Sequence, residues 1–151
     1  MVDRARNLGQ IVMGLNRAQQ RLMLAINQAL AAEGLNMTRL NILSRFTARP
    51  NNSLTVGAIV ANSGIKQPTV TKAVAWLIEQ GWLVHHPDPA DARKKVLKIS
   101  PEGLGAVIRA YGKITPLLHE RFQALDDDQV AQVLEGVDHL NRSLDQSWTK
   151  R

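Results

Sequence analysis

The 151-residue sequence contains no cysteine, so a disulfide framework and a thiolate-held metal are both excluded. No apolar run approaches the length of a membrane span, and the N-terminus MVDRARNLGQ lacks the apolar core of a signal peptide. These absences predict a soluble, cytoplasmic protein. Catalytic signatures are missing too: there is no GxSxG, no phosphate-binding glycine loop and no HExxH. Of the four histidines, His85 and His86 are adjacent in a strand-like run and point to opposite faces, which makes a shared metal difficult. His119-Glu120 and Asp138-His139 lack the spacing of helical metal pairs. No enzymatic activity, metal or cofactor is expected. There are no internal repeats and no low-complexity segments.

What is present is a hydrophobic fraction of 44%, which excludes a disordered chain, and a length suited to one domain with a sizeable core. The net charge is +6 with a sequence pI near 10.2, a balance that favours a polyanionic partner, although basic surfaces also aid solubility. The charge is uneven. Residues 1–49 hold seven Arg against two acids, and Arg93-Lys94-Lys95 is a separate cluster.

The stretch Leu54 to Gly103 organises the chain. Val56, Ile59 and Val60 mark a short apolar helix with Thr55 at its N-cap. Asn62-Ser63-Gly64 supplies a tight turn, and Gln67 to Gln80 forms a second helix with Val70, Ala73, Val74 and Leu77 on its buried stripe. Pro68 suits the first turn of that helix, and Gly81 suits a left-handed stop. Two β-rich runs follow, Trp82 to His86 and Lys94 to Ile99, joined by Pro87-Asp88-Pro89-Ala90-Asp91-Ala92-Arg93 as a hairpin with a long turn. Helix, turn, helix and hairpin make a winged helix-turn-helix. The polar residues at the start of the second helix are Lys66, Gln67, Thr69, Thr71 and Lys72. Entering the major groove, Gln67 suits adenine, a threonine suits a thymine methyl, and Lys72 suits either a base or a phosphate. In the hairpin turn, Asp91 and Arg93 lie on the same side of an extended chain, so a charge-assisted bond between them is expected; a purely structural salt bridge is the alternative. Lys94 and Lys95 extend the basic tip.

Leu54-Thr55-Val56, Pro68-Thr69-Val70-Thr71-Lys72, Glu79-Gln80-Gly81, the wing pattern Asp88-Pro89-x-Asp91-x-Arg93 and Ser100-Pro101-Glu102-Gly103 occur in one order and spacing. Together they resemble the multiple-antibiotic-resistance regulator (MarR) family of transcription factors, closely over about a third of the chain. The resemblance implies a homodimer on double-stranded palindromic operator DNA, with Arg93 in the minor groove. It also implies a small aromatic or phenolic effector bound between the DNA-binding lobe and the dimer helices. The sequence departs from the family at Lys66, where Ser is common, at Ala92, often Arg, and at His85 and His86. Trp76 and Ile78 are unusual on a helix face that tends to be charged.

The flanks fit by layout. Leu8 to Ala32 is one long amphipathic pattern stopped by Gly34; Ile11 and Leu15 belong to its apolar stripe, which is either ordinary core or dimer interface. Arg4 and Arg6 precede it as a frayed arm or as phosphate contacts. Asn36 to Ala48 is a shorter helix capped by Asn36, with Leu40, Leu43 and Phe46 inward and Arg49-Pro50 as its stop. Glu102 to Phe122 is helical, with Leu104, Val107, Ile108, Tyr111, Ile114 and Leu118 periodic and a kink or break at Pro116. Asp126-Asp127-Asp128-Gln129 reads as a capping box rather than a metal cluster. The last helix carries Val137, Leu144 and Trp148 on a stripe that needs a partner.

The expected fold is mainly α with a small β-hairpin wing (α+β). It forms a single domain over 1–151, with a winged lobe at 36–103 and dimerisation helices at 1–35 and 104–151. The expected function is a DNA-binding transcriptional regulator. The alternatives are an architectural DNA-binding protein and a protein-interaction module using an exposed Trp76 face.

Overall fold

A short helix keeps a fixed direction only if its apolar side is held down while its polar start stays in water. The computed structural model describes residues 2–48 and 52–148, with side chains described for 3–48 and 52–145. The elements in order are α1 (Val2–Leu30), a 3-10 turn (Ala31–Glu33), α2 (Met37–Thr47), α3 (Val56–Ala61), α4 (Gln67–Glu79), β1 (Leu83–Pro87), β2 (Lys95–Ile99), α5 (Pro101–Phe122) and α6 (Asp127–Trp148). The chain divides into two compact units, Met1–Thr115 and Pro116–Arg151. Among the described residues no helix is long and apolar enough to cross a membrane.

In the first unit, α2 and α3 pack on α4, α4 packs on β1, and α2 reaches β2. Leu40, Leu43, Ile59, Val70, Leu77, Leu83 and Leu97 are fully buried where these elements meet. The helix ends follow capping chemistry. Asn36 Oδ1 accepts from Arg39 N at 2.9 Å and Asn27 Oδ1 accepts from Met37 N at 2.8 Å, so two of the orphan donors of α2 are satisfied by side chains. The predicted stop at Arg49-Pro50 lies outside the described residues. Thr55 Oγ1 accepts from Ala58 N at 3.1 Å to start α3. Gly81, at φ 72°, ends α4, with Gly81 N donating to Ile78 O and Trp82 N to Leu77 O, both at 2.9 Å. Gly34, at φ 67°, closes the tightened end of the first helix. That helix begins at Val2, so Arg4 and Arg6 lie within it and form no frayed arm.

The hairpin pairs Leu83 with Ile99 and Pro87 with Lys95 in antiparallel register. A third segment, not expected from the sequence, joins it: Leu54 and Leu97 exchange backbone bonds of 3.1 and 2.8 Å. This bridge ties the chain entering α3 to the wing.

The structure departs from the expected arrangement at Trp76 and at Pro116. Trp76 is half-buried rather than exposed. Its ring lies under the Arg39 guanidinium, 3.8 Å from Cζ to centroid, and meets Trp82 edge-on at 5.4 Å. In α5 the inner face is Gly103, Ala106, Val107, Ala110 and Ile114, while Leu104, Ile108 and Tyr111 are exposed. At Gly103 the absence of a side chain is required by the Trp82 carbonyl, which occupies the space a Cβ would fill. Of the kink or break expected at Pro116, the break is not formed: α5 is one helix from Pro101 to Phe122. Proline removes one donor from the ladder but leaves the helical φ intact.

The closest approach is at the root of the wing. Ser100 is the only buried polar side chain among the described residues. Its hydroxyl donates to Gly81 O at 2.7 Å and accepts from Gly103 N at 3.0 Å, while Ser100 N donates to Trp82 O at 3.0 Å. One residue thus joins the end of α4, the end of β2 and the start of α5. Gly103 is the residue that permits it: a Cβ there would overlap the Trp82 carbonyl and sit 2.9 Å from Ile99 Cγ1. Farther along, Glu33 ties the 3-10 turn to α5 through Lys113 Nζ at 2.9 Å and Arg109 Nε at 3.1 Å. Lys113 first, and Arg109 second, hold the Glu33 carboxyl below its ordinary range.

The second unit holds α6. Asp126 N donates to Gln129 Oε1 at 3.1 Å and Gln129 N donates to Asp126 Oδ1 at 2.8 Å, the reciprocal capping box predicted from the sequence. Among the described residues no three His, Asp or Glu side chains are grouped as a metal site.

Ser100→Ala is expected to cost about 1–2 kcal/mol, because it leaves the buried Gly103 amide without its acceptor and removes the bond to the Gly81 carbonyl. Gly103→Ala is expected to cost at least about 2 kcal/mol through backbone overlap. Gly112→Ala, in the same helix with open space at its Cβ position, should instead gain about 0.5–1 kcal/mol. Urea midpoints at one fixed protein concentration check the order; a Gly103→Ala midpoint at or above that of Gly112→Ala contradicts the packing described.

Candidate nucleic-acid interface

The turn between α3 and α4 sets the direction of the second helix. Asn62 Nδ2 donates to Ala58 O at 2.9 Å, Ser63 Oγ accepts from Ile65 N at 3.1 Å, and Gly64 adopts φ 64°. Arg45 on α2 clamps the same turn by donating from Nη2 to Asn62 O at 2.6 Å. The chain then enters α4 through Lys66, whose backbone is extended (φ −61°, ψ 139°). Lys66 is the N-cap residue, and its side chain makes no capping bond. Its carbonyl instead accepts from Thr69 N at 3.0 Å and Val70 N at 3.2 Å. Pro68 occupies the first turn, where no donor is lost.

With Val70, Ala73, Val74 and Leu77 buried, the opposite side of α4 is fixed outward. Lys66, Gln67, Thr69, Thr71 and Lys72 are all exposed. They occupy the first two turns, where Gln67 and Thr71 are one turn apart and Thr69 and Lys72 are three residues apart. This end offers hydroxyl, amide and ammonium groups and no carboxylate.

The wing is a structured turn. Asp88 N donates to Lys94 O and Lys94 N to Asp91 O, both at 2.9 Å, and Asp88 Oδ1 accepts from Ala90 N at 2.8 Å. Asp91 Oδ1 accepts from the Arg93 backbone N–H at 3.1 Å. The expected bond from Asp91 to the Arg93 guanidinium is therefore not the one formed: the carboxylate shapes the backbone, and the Arg93 side chain stands exposed beyond it. A side chain two residues on is within easy reach of an Asx turn, which competes with a same-side ion pair. Lys94 and Lys95 are exposed beside Arg93, and His85 and His86 are exposed on opposite faces of β1.

Of the residues expected at a subunit interface, Ile11 (50% exposed), Leu15 (41%), Val137 (37%) and Leu144 (48%) all remain accessible. The Trp148 side chain lies outside the described residues. In α6, Val130, Val133 and Leu134 are likewise exposed. Sequence reasoning missed two side chains near the start of α4, Thr38 and Arg39; nothing in the spacing of α2 separates them from ordinary surface residues.

This arrangement is that of a winged helix-turn-helix. A model of the MarR family matches residues 33–94, which span α2 through the wing turn. A curated relative, an uncharacterized HTH-type transcriptional regulator from Mycobacterium leprae, is 27% identical over 109 residues, covering 72% of this chain and 76% of that protein. Among solved structures, a mutant MarR from E. coli complexed with operator DNA aligns with a TM-score of 0.73 at 17% identity, covering 93% of this chain and 97% of that one. CouR from Rhodococcus jostii RHA1 bound to p-coumaroyl-CoA aligns at 0.74 with 22% identity, covering 86% and 90%. The chain thus resembles the MarR family in sequence and has the fold of a MarR-family transcriptional regulator.

Removing the Asp91 carboxylate is expected to loosen the wing turn without unfolding the lobe. In Asp91→Ala, amide exchange at Arg93 should accelerate roughly fivefold to tenfold, matching the loss of about 1 kcal/mol of local protection. Exchange at Leu97 should not change. An Arg93 amide that exchanges at the wild-type rate contradicts the bond.

Proposed function

We propose that the protein is a sequence-specific, double-stranded DNA-binding transcriptional regulator that acts as a homodimer on a palindromic operator. One observation carries this reading: α4 buries its apolar stripe completely and presents Gln67, Thr69, Thr71 and Lys72 outward from its first two turns. An α-helix presented in this way fits the major groove, with its N-terminal residues against base edges. Gln67 and Thr71 read bases, while Lys66 and Lys72 neutralise phosphates. Arg93 enters the adjoining minor groove, where a narrow A·T-rich form concentrates negative potential, and Lys94 and Lys95 meet the backbone. Asp91 serves this step by fixing the turn from which Arg93 extends. The function is binding, with no chemical reaction.

Dimerisation is supported by the apolar side chains exposed on α1 and, separately, on α6. Each helix by itself leaves Leu and Val side chains in water that a second copy would cover. Within the dimer, residues 36–103 form the DNA-binding lobe, and residues 1–35 and 104–151 the dimerisation helices. Regulation as a repressor released by a small aromatic or phenolic acid is supported by the likeness to a fold whose solved members include one bound to p-coumaroyl-CoA. It is supported also by a structure concerned with regulation of DNA binding by 6-hydroxynicotinic acid, in Bordetella bronchiseptica BpsR.

Two experiments test this reading. Arg93→Ala should weaken operator binding by about 1–3 kcal/mol, lower the salt slope by about one and relax the preference for A·T pairs at the outer flanks. Thr71→Ala should leave the slope alone and relax an inner base pair. An Arg93→Ala variant that binds every duplex like wild type removes the wing from the reading. Light scattering at micromolar concentration should give the mass of a dimer; Val133→Asp with Val137→Asp should give a monomer that has lost operator binding. A wild-type protein that is monomeric under these conditions contradicts the assembly.

A further inference from the structure

Between the start of α2 and the first turns of α4 lies an open cleft of about 420 Å³, lined by Asn36, Thr38, Arg39, Pro68, Thr69, Lys72 and Ala73. Two cations line it and no carboxylate does. Among the described residues neither Arg39 nor Lys72 makes a salt bridge. Arg39 is nevertheless held in place. Its Nη1 donates to Gly34 O at 2.5 Å, and its Cζ lies 3.8 Å from the Trp76 ring centroid. The indole is fixed in turn by Trp82, edge-on at 5.4 Å, and by Gly34, where a Cβ would stand 3.0 Å from Trp76 Cζ2. A half-buried guanidinium stacked on a clamped indole has already lost most of its rotamer freedom, yet keeps N–H donors beyond the one used by Gly34.

We propose that this cleft seats a DNA backbone phosphate, bound by Arg39 and Lys72, with Trp76 as the positioning residue that holds the guanidinium. The inference rests on the DNA-binding reading above and deepens it. The cleft shares Thr69 and Lys72 with the end of α4 that faces the groove, so the strand flanking that groove passes its mouth. A planar fork fits a phosphate with two parallel bonds, and the Thr38 hydroxyl adds a third donor. Such a contact fixes the register of α4 on the duplex and carries no base preference. It also accounts for Trp76, which is unusual on a helix face that would otherwise be charged.

The test is a titration of the full chain against its operator and a scrambled duplex at several salt concentrations. Arg39→Gln should bind both duplexes roughly tenfold more weakly and by the same factor, with the salt slope reduced by about one. Trp76→Leu should lose affinity on both duplexes, and Trp76→Phe, which keeps a ring face beneath Arg39, should recover most of it. Thr38→Glu leaves Arg39 and Trp76 untouched and places a carboxylate in the cleft; it should weaken binding to both duplexes, most at low salt. Thermal midpoints follow folding, and Thr38→Glu decides the matter if Arg39→Gln does not fold. Wild-type affinity in Thr38→Glu, an unchanged slope in a folded Arg39→Gln, or a loss confined to one duplex overturns the proposal. A wild-type protein that binds neither duplex defeats the DNA-binding reading instead. Inorganic phosphate titrated calorimetrically separates the sources: Arg39-dependent uptake with an unchanged DNA salt slope assigns the cleft to a free anion and overturns the proposal.

Discussion

At the root of the wing Ser100 bonds three ways: its hydroxyl to the Gly81 carbonyl and the Gly103 amide, and its backbone amide to the Trp82 carbonyl. Three elements that must keep a fixed relation are joined there: α4, which presents the polar helix end, β2, which carries the wing, and α5. The joint requires a residue with no Cβ at position 103, because the Trp82 carbonyl occupies the space a side chain would need. It also requires a hydroxyl at position 100, the one side chain small enough to donate and accept in the same buried gap. Directional bonds of this kind restrict orientation, whereas the surrounding Leu and Val contacts supply most of the free energy without specifying an angle.

From that joint outward the lobe is a device for holding polar groups still. The C-terminal part of α4 is anchored through Gly81, its middle by Val70, Val74 and Leu77, and its start by the Asn62–Gly64 turn that Arg45 clamps. The wing is fixed at its base by β pairing and the Leu54–Leu97 bridge, and at its tip by Asp88 and Asp91 bonding to nearby amides. Acidic side chains in the tip of a basic wing are thus consumed internally. They shape the backbone, and Arg93, Lys94 and Lys95 beside them stand exposed.

Much of this was legible in the sequence because local chemistry decides it. Thr55, Asn36 and the Asp126–Gln129 pair cap the helices they were expected to cap, and Gly81 adopts the left-handed conformation expected of it, as do Gly34 at the helix stop and Gly64 in the turn. The winged helix-turn-helix follows from those signals and the period of the apolar residues. Failures came where a distant segment decides. The periodic set expected in α5 mixes both sides of the helix: Val107 and Ile114 are buried, whereas Leu104, Ile108 and Tyr111 are exposed. The rest of the inner face is Gly103, Ala106 and Ala110, and Gly103 faces the Trp82 carbonyl, which lies far from it in the sequence. Trp76 was expected outside, since nothing local reveals that Arg39, Gly34 and Trp82 converge on it from other elements. The candidate site was legible as a set of outward residues on α4, while the Asp91 carboxylate was assigned to the wrong partner, a guanidinium in place of an amide.

The account's central claim is that a rigid α4 and wing read DNA as a symmetric pair. Selection of bound duplexes from a random pool, at near-physiological salt with the full chain, tests it most directly. The account predicts enrichment of one dyad-symmetric sequence whose half-site centres lie about one helical turn, roughly 34 Å, apart. A pool that stays random, or an enriched sequence without two-fold symmetry, contradicts it.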